Sequence, residues 1–141
     1  EIYMGVLGNE KLQALPPVEL DLSRLPKGAP RIAGSEVKWD EGTRAYRSTR
    51  VRIPRLPAAV RATMERYAVT AFQALGLRDY ARMDFRLRPD GRVYLLEANC
   101  NPNLSKNEDF AAAAANGGVG YEALLERLMR LGLGYEVEWR E

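Results

Sequence analysis

The segment Tyr80–Asn99 carries the residues of this chain that are best suited to chemistry. It consists of two alternating runs around Asp90-Gly91, a dipeptide that favours a two-residue hairpin loop because glycine accepts a positive φ angle. Alternate side chains of a strand share one face of the sheet. The polar face of this hairpin gathers Arg82, Asp84, Glu97 and Asn99. The hairpin is therefore a candidate site for a metal ion and a phosphate group.

The apolar residues of the two runs predict which residues face each other across the hairpin. A two-residue loop sets Pro89 opposite Arg92, and the apolar side chains then share the second face, as in a buried sheet face. A shift by one residue would set Asp84 against Leu96 and mix the two faces, so the apolar pattern selects one register. The predicted pairs are Arg82 with Asn99, Met83 with Ala98, Asp84 with Glu97, Phe85 with Leu96 and Leu87 with Tyr94.

The predicted pair of carboxylates, Asp84 and Glu97, needs a compensating charge. Like charges directly opposite each other cost about 0.2–1 kcal/mol in an ordinary exposed pair. Arg82 alone could balance them, which would make this face a solvated network of salt bridges. A magnesium ion could also do so, since carboxylate and amide oxygens are its preferred ligands. The residue types and their spacing leave both interpretations open.

Composition limits the classes of function. The 141 residues are 46% hydrophobic and 28% charged, which fits one soluble domain with a core. A net charge of +2 is not a nucleic-acid signature, and no apolar run approaches the ~20 residues of a membrane span. Cys100 is the only cysteine and no signal-peptide pattern is present, so a cytoplasmic location is expected. Without any histidine, this chain cannot build a histidine-based catalytic or metal site.

Periodicity predicts an α/β (α+β) chain in which an antiparallel β-sheet packs against helices. Ile2–Leu7 and Val18–Leu22 read as strands, and residues 46–53 read as extended. A helix begins near Pro57 and ends at Gly76. Its predicted core stripe consists of Val60, Met64, Tyr67, Ala68, Ala71, Phe72 and Leu75. We expect this stripe to pack on the apolar face of the hairpin.

The last third of the sequence predicts a polar loop, two helices and a tail. Turn-forming residues dominate 100–108, and loops beside rigid strands often contact substrates. The alanine-rich segment Asp109–Ala115 reads as a short helix, and Tyr121–Leu133 reads as a second, amphipathic helix. The predicted core stripe of the second helix is Leu124, Leu125, Leu128 and Leu131. Tyr135–Trp139 alternates and is either an edge strand or a tail.

The hairpin residues resemble a known family. Arg82-Met-Asp84-Phe, the Asp-Gly turn and Glu97-Ala-Asn99 followed by Asn101-Pro102 are similar to the metal-binding hairpin of ATP-grasp ligases, especially the D-alanine–D-alanine ligase branch. Three further segments resemble that branch in the same order. They are Glu1–Gly8, Val37-Lys38-Trp39 and Gly120–Leu125. We therefore expect residues 1–141 to form the C-terminal portion of an ATP-grasp domain, with the N-terminal domain and part of the ATP cleft outside this chain.

The resemblance implies ATP-dependent joining of a carboxylate to an amine through an acyl phosphate. It implies Mg²⁺ or Mn²⁺ and small-molecule substrates, no nucleic acid or membrane, and it is compatible with a homodimer. The implied metal ligands are Asp84, Glu97 and Asn99, the catalytic residue is Arg82, and the ATP-binding residues are Lys38 and Glu1. On this reading, activity belongs to the complete enzyme and not to the isolated chain.

Several residues of the polar loop depart from the pattern of the resembled branch. Asn103 stands where that branch has a glycine, and Glu108 falls near its serine, which receives the carboxylate of the second substrate. Ser105 or Lys106 would make that contact in a different alignment, and Asn101 either adds a contact or only forms the turn. Asn101, Asn103 and Ser105 are the substrate-binding candidates. Two alternatives stay open: another ATP-grasp branch with a different amino-acid or peptide substrate, or a nucleotide-binding, metal-binding or structural module without turnover.

Overall fold

The computed structural model describes residues 1–25, 28, 32 and 50–134, and in this part six strands form one sheet that packs against three helices. The strands are β1 (Ile2–Leu7), β2 (Gln13–Ala14), β3 (Val18–Asp21), β4 (Arg50–Arg52), β5 (Tyr80–Leu87) and β6 (Val93–Asn99). The helices are α1 (Ala58–Ala74), α2 (Asp109–Asn116) and α3 (Tyr121–Leu133). None of these helices is long and apolar enough to cross a membrane.

The sheet has β1 at its centre and is antiparallel at every pairing described. Its strand order is β4-β3-β1-β5-β6, and the short β2 pairs with the end of β1. All six residues of β1 are buried, because helices cover both faces of the sheet. The predicted architecture, an antiparallel sheet packed against helices, is confirmed.

Helix α1 covers the first face of the sheet. Met64, Ala68 and Phe72, which are four residues apart, point into this core. Two residues of the predicted stripe do not, because Tyr67 is 40% exposed and Leu75 is 59% exposed. Tyr67 lies on the flank of the buried row, and Leu75 follows the last residue of the helix. The strand residues of this first core are Ile2, Met4, Val6, Ala81, Met83 and Phe85.

Helices α2 and α3 cover the second face, which is also the polar face of the hairpin. Gly5 explains how closely α2 approaches, because a Cβ atom at this position would lie 2.8 Å from Cδ1 of Leu15 and 2.8 Å from Cε2 of Phe110. Leu124 alone of the predicted α3 stripe is fully buried, and the other leucines of the stripe are partly buried. The second core consists of Tyr3, Leu7, Leu15, Val18, Phe110, Ala111, Ala113, Ala114 and Leu124.

A side-chain clamp holds the start of β5 against the end of β1. Asp79 adopts a positive φ of 63°, which is uncommon for a residue other than glycine. Its backbone N–H donates to Oδ1 of Asn9 at 2.8 Å, and Nδ2 of Asn9 donates to Oδ1 of Asp79 at 2.9 Å. The backbone N–H of Gly8 also donates to the carbonyl of Asp79 at 2.9 Å. The clamp therefore helps to set the register of the strand that carries the site.

The predicted two-residue hairpin loop is wrong. The backbone N–H of Arg88 donates to the carbonyl of Arg92 at 2.9 Å, so the loop contains three residues, 89–91. Gly91 has a φ of 84° and donates to the carbonyl of Arg88 at 3.0 Å. Proline at the second position and glycine at the fourth favour this type of turn, because proline fixes φ and glycine accepts the left-handed conformation. Pro89 therefore does not oppose Arg92.

An irregularity in the β5–β6 ladder offsets the longer loop. Phe85 pairs with Leu95 and Leu87 pairs with Val93, so the predicted pairs of Phe85 with Leu96 and Leu87 with Tyr94 are wrong. Leu96 is the additional residue of a bulge between the pairs of Phe85 and Asp84, and it is 56% exposed. Beyond the bulge the predicted pairs are confirmed: Arg82 with Asn99, Met83 with Ala98 and Asp84 with Glu97.

The remaining predictions are confirmed or fall on undescribed residues. Helices α2 and α3 match the two helices predicted for the last third of the chain. Of the extended segment 46–53, residues 50–52 form β4, and residues 46–49 lie outside the described residues. Val37-Lys38-Trp39 and the tail Tyr135–Trp139 also lie outside them.

The packing of α2 on the sheet predicts a large effect of a small substitution. We expect Gly5→Ala to lower the free energy of unfolding by about 1–3 kcal/mol, because its methyl group would displace the buried Phe110 ring or the Leu15 side chain. Gly132→Ala is the control, since a Cβ atom at that helical position meets open space. We expect the control to stabilise by up to about 1 kcal/mol. Urea unfolding of the two variants would contradict the packing argument if both changed stability equally.

Candidate metal and phosphate site

The centre of the site is a buried ion pair within β5. Arg82 and Asp84 are two residues apart, so the strand presents both on the second face. Nε of Arg82 donates to Oδ1 of Asp84 at 2.7 Å, and Nη2 donates to Oδ2 at 2.8 Å. The Asp84 residue is only 2% exposed. This bidentate geometry suits a buried pair, because two parallel charge-assisted hydrogen bonds offset the cost of removing both charges from water.

Two further elements contact the Arg82 guanidinium. Its central carbon lies 4.3 Å from the centroid of the Tyr3 ring on β1. Its Nη1 donates to Oδ2 of Asp109, the first residue of α2, at 3.3 Å. Burial opposes the positive charge, but the hydrogen bonds and charge of Asp84, together with the charge of Asp109, raise the pKa of Arg82 above its ordinary value. Arg82 is therefore a fixed cation.

Glu97 and Asn99 lie across the hairpin from this pair. Glu97 pairs with Asp84 in the ladder and is exposed, whereas Asn99 pairs with Arg82 and is half-buried. Oδ1 of Asn99 accepts a hydrogen bond from the backbone N–H of Asn101 at 2.9 Å, which stabilises the turn after β6. The structure thus brings together the four polar residues that the alternation predicted.

The donor atoms of these residues fit a divalent cation. Within the described ranges, no three histidine, cysteine, aspartate or glutamate side chains form a metal-binding group. A cation here would need Asn99 as a donor beside Asp84 and Glu97, and all three offer the oxygen atoms that Mg²⁺ prefers. Arg82 balances the charge of Asp84, so the exposed Glu97 carboxylate retains a net charge for a cation to neutralise.

Glu1 lies on the same face of the sheet, close to Tyr3 on its own strand side and to Arg86 of β5. Its Oε2 accepts a hydrogen bond from the hydroxyl of Tyr3 at 3.5 Å, and its Oε1 lies 3.8 Å from Nη1 of Arg86. The Glu1 side chain is mostly buried. Burial and the negative charges of Glu1, Asp84 and Asp109 raise the pKa of Tyr3. Lys38, the other predicted ATP-binding residue, lies outside the described residues.

The polar loop after β6 exposes its candidate substrate-binding residues. Asn101, Asn103 and Ser105 are exposed, and Oδ1 of Asn103 accepts a hydrogen bond from the backbone N–H of Ser105 at 3.0 Å. The loop is anchored from below, because Pro102 is buried and Leu104 packs against the second core. Its polar side chains are therefore presented to solvent from an ordered backbone.

Three residues of the site escaped the sequence analysis: Tyr3, Arg86 and Asp109. Tyr3 reads in the sequence as an ordinary core residue of a strand. Arg86 continues the alternation of Arg82 and Asp84 and could have been found by extending it. Asp109 gives no signal beyond an acidic residue at a helix start, and its contact with Arg82 spans 27 residues.

Comparisons with known proteins agree with this geometry. The family described as D-ala D-ala ligase C-terminus matches residues 1–130. The chain is 35% identical over 133 residues to a D-alanine--D-alanine ligase of Desulfotalea psychrophila, covering 94% of this chain and 39% of that protein. It is also 30% identical over 129 residues to the uncharacterized protein y4sG of Sinorhizobium fredii, covering 92% of this chain and 37% of that protein.

Solved structures show the same fold. The D-alanine--D-alanine ligase of Bacillus anthracis complexed with ATP superposes with a TM-score of 0.68 at 20% identity, covering 94% of this chain and 36% of that one. The enzyme of Coxiella burnetii superposes with a TM-score of 0.69 at 22% identity, covering 94% of this chain and 31% of that one.

The fold is therefore that of the C-terminal part of D-alanine–D-alanine ligase structures, which is the C-terminal half of their ATP-grasp fold. Within that class, the chain belongs to the D-ala D-ala ligase C-terminus family. It spans about two fifths of the length of the curated relatives named above.

The buried ion pair predicts that Asp84 is needed for stability. We expect Asp84→Asn to lower the free energy of unfolding by about 3 kcal/mol, because it removes the charge that balances Arg82 at a buried position. The matched control is Glu126→Gln, which breaks an exposed pair with Arg130. The control should change stability by about 0.5 kcal/mol or less. Equal urea-unfolding midpoints for the two variants would contradict the importance of the pair.

The raised pKa of Tyr3 predicts how stability depends on alkaline pH. Because the folded pKa lies above the ordinary value of 10.0, the stabilisation is present below pH 10 and is lost as pH rises above it. The loss should reach about 1.4 kcal/mol per pH unit. In a titration followed by phenolate absorbance and circular dichroism, the Tyr3 phenolate should appear only with unfolding.

One variant assigns the Tyr3 signal. Tyr3→Phe should remove part of the absorbance change that accompanies unfolding. A Tyr3-dependent phenolate in the folded protein would show that the environment of the ring is more open than described.

Proposed function

We propose that the full-length protein is an ATP-dependent carboxylate–amine ligase of the D-alanine–D-alanine ligase type. One observation carries the proposal: the Arg82–Asp84 pair lies in register with Glu97 and Asn99 on one face of a hairpin in a chain of this family. A fixed cation beside oxygen donors for a metal ion is the arrangement that phosphoryl transfer needs, because that reaction depends on positioning and charge neutralisation.

The proposed reaction has two steps. An oxygen of the substrate carboxylate attacks the γ-phosphorus of ATP, the bond to the bridging oxygen breaks, and ADP leaves. The nitrogen of the amine then attacks the acyl carbon of the acyl phosphate, phosphate leaves with the former carboxylate oxygen, and the amine loses a proton. Both steps develop negative charge on oxygen atoms that a fixed cation can stabilise.

Each residue of the hairpin has a proposed role. Glu97, Asn99 and Asp84 would hold Mg²⁺, or Mn²⁺ in its place, and the metal ion would neutralise phosphate charge. Arg82 would donate hydrogen bonds to the transferring phosphoryl group and to the oxyanion of the second step. Asp84 therefore serves twice, because its bidentate contact also fixes the orientation of the arginine.

Roles outside the hairpin are also proposed from the family resemblance. Glu1 would bind the ribose and Lys38 a phosphate of ATP, while Asn101, Asn103 and Ser105 would contact the substrates. Glu108 is half-buried and immediately precedes α2. Its negative charge would repel the free carboxylate of an amine substrate bound nearby, so it disfavours such substrates. The substrates would be small molecules, and the reaction would take place in the cytoplasm. The role is compatible with a homodimer.

The proposal is tested by ADP release from the full-length protein with Mg²⁺ and ATP. The panel contains D- and L-amino acids and their carboxyl amides, because the amides show whether Glu108 selects acceptors without a free carboxylate. ADP release that depends on an added amino acid or amide supports the ligase. Binding of Mg²⁺ and ATP without such release would contradict it and would favour a nucleotide-binding role.

The metal assignment predicts a specific loss in Glu97→Gln. We expect amino-acid-dependent ADP release to fall by at least about a hundredfold, because the exposed carboxylate that would neutralise the cation is gone. The increase in melting temperature caused by Mg²⁺ with a nonhydrolysable ATP analogue should also disappear. Glu10→Gln, an equal charge change at an exposed position after β1, is the control and should retain both properties. Full activity of Glu97→Gln would show that the metal assignment is wrong.

A further inference from the structure

Asp109 contacts the one guanidinium nitrogen of Arg82 that Asp84 does not engage. The hydrogen bonds to Asp84 use Nε and Nη2, and Asp109 accepts from Nη1 at 3.3 Å. Because Asp84 holds one edge of the planar group, the guanidinium can still tilt about that edge. The contact with Asp109 at Nη1 and the Tyr3 ring below the group restrict this tilt.

The position of Asp109 is set by a rigidly packed helix. Asp109 is the first residue of α2, and the next residue, Phe110, is 1% exposed in the second core. Phe110 packs directly over Gly5 of β1, where no side chain intervenes. The Asp109 side chain is itself only 15% exposed. Its carboxylate therefore lies at a defined place relative to β5.

Helix capping alone does not explain the position of the Asp109 carboxylate. An acidic residue at a helix N-terminus is favourable, but it needs no arginine and can remain in water. Here the Asp109 side chain is mostly buried and accepts a hydrogen bond from Arg82.

Asp109 also marks the end of the polar loop, residues 100–108. The exposed residues of this loop are the proposed substrate contacts, and Asp109 follows them without a break in the chain. A hydrogen bond from Arg82 to Asp109 thus connects the proposed phosphoryl-binding cation on β5 with the element that ends the loop.

We propose that Asp109 is a positioning residue, which fixes the tilt of the Arg82 guanidinium and keeps it aligned with the loop at 100–108. The inference rests on the proposed function. Asp109 acts through Arg82, so its loss lowers the rate of the chemical step and leaves the binding of ATP unchanged.

Steady-state kinetics of the full-length protein test this role. In Asp109→Asn, kcat falls by about tenfold to a hundredfold, because a small misplacement of a catalytic group has effects of this size. The KM for ATP stays within about twofold, as expected when only interactions in the transition state are lost. Asp109→Glu, which keeps the carboxylate, recovers part of kcat. Glu126→Gln, an equal charge change on the exposed face of α3, is the control and keeps the wild-type kcat.

A double-mutant cycle decides whether Asp109 acts through Arg82. Arg82→Lys keeps the positive charge next to Asp84 but removes the planar group that Asp109 would orient. In this background, Asp109→Asn has no further effect on kcat. Independent, multiplicative effects of the two changes would overturn the proposal, and so would an Asp109→Asn variant with a lower melting temperature and an unchanged kcat.

A failure of the proposed function is distinguishable from a failure of this inference. If the wild-type protein releases no ADP with any member of the panel, the ligase assignment fails, whatever Asp109 does. The same four proteins of the cycle are then compared by urea unfolding. Coupling between the two positions in the free energy of unfolding supports the contact that orients Arg82, and an absence of coupling overturns it.

Discussion

The buried ion pair of Arg82 and Asp84 is the interaction on which the rest of this structure depends. An unpaired charge at such a depth would be severely destabilising, so the strand, the sheet and the covering helix must keep both groups in bidentate geometry. β1 supplies the Tyr3 ring against one side of the guanidinium, and α2 supplies Asp109 at its remaining nitrogen. The site is thus built into the second core.

This arrangement explains why the centre of the sheet is covered on both faces. On the first face, β1 and β5 present apolar side chains to α1, and this core stabilises the sheet without contributing a side chain to the proposed site. The second face combines an apolar half under α2 and α3 with a polar half at Arg82, and Gly5 lets α2 come close enough for its first residue to reach the arginine. The close packing of α2 on β1 therefore also fixes the polar contact between Asp109 and Arg82.

The two sides of the hairpin differ in how their charges are balanced. On β5, Asp84 is buried and bound to Arg82, whereas on β6 Glu97 is exposed and forms no ion pair among the described residues. The salt bridge that the sequence offered as one interpretation is thus present at Asp84. The metal site at Asp84, Glu97 and Asn99 remains a proposal. The exposed carboxylate of Glu97 lies near the fixed cation Arg82. This arrangement would accommodate an anionic ligand that binds together with a metal ion, as nucleotides do.

The sequence by itself determined the local features: the alternation of β5 and β6, the extent of the helices and the shared face of Arg82, Asp84, Glu97 and Asn99. These depend on the periodicity of the backbone and on neighbouring residues, and four matched segments were enough to indicate the ATP-grasp family. The turn and ladder were only partly predictable. The three-residue loop moves the register by one residue and the bulge at Leu96 moves it back, so the polar pairs were predicted correctly although two apolar pairs were not.

The tertiary structure alone decided which distant groups complete the site. Tyr3 and Asp109 are 79 and 27 residues from Arg82 in the chain (82 − 3 and 109 − 82), and neither has a spacing that indicates the contact. Their positions follow from the packing of β1 beside β5 and of Phe110 over Gly5, which depends on the summed fit of many side chains. Periodicity can assign a residue to a face, but only the packed core fixes which distant residue meets it there.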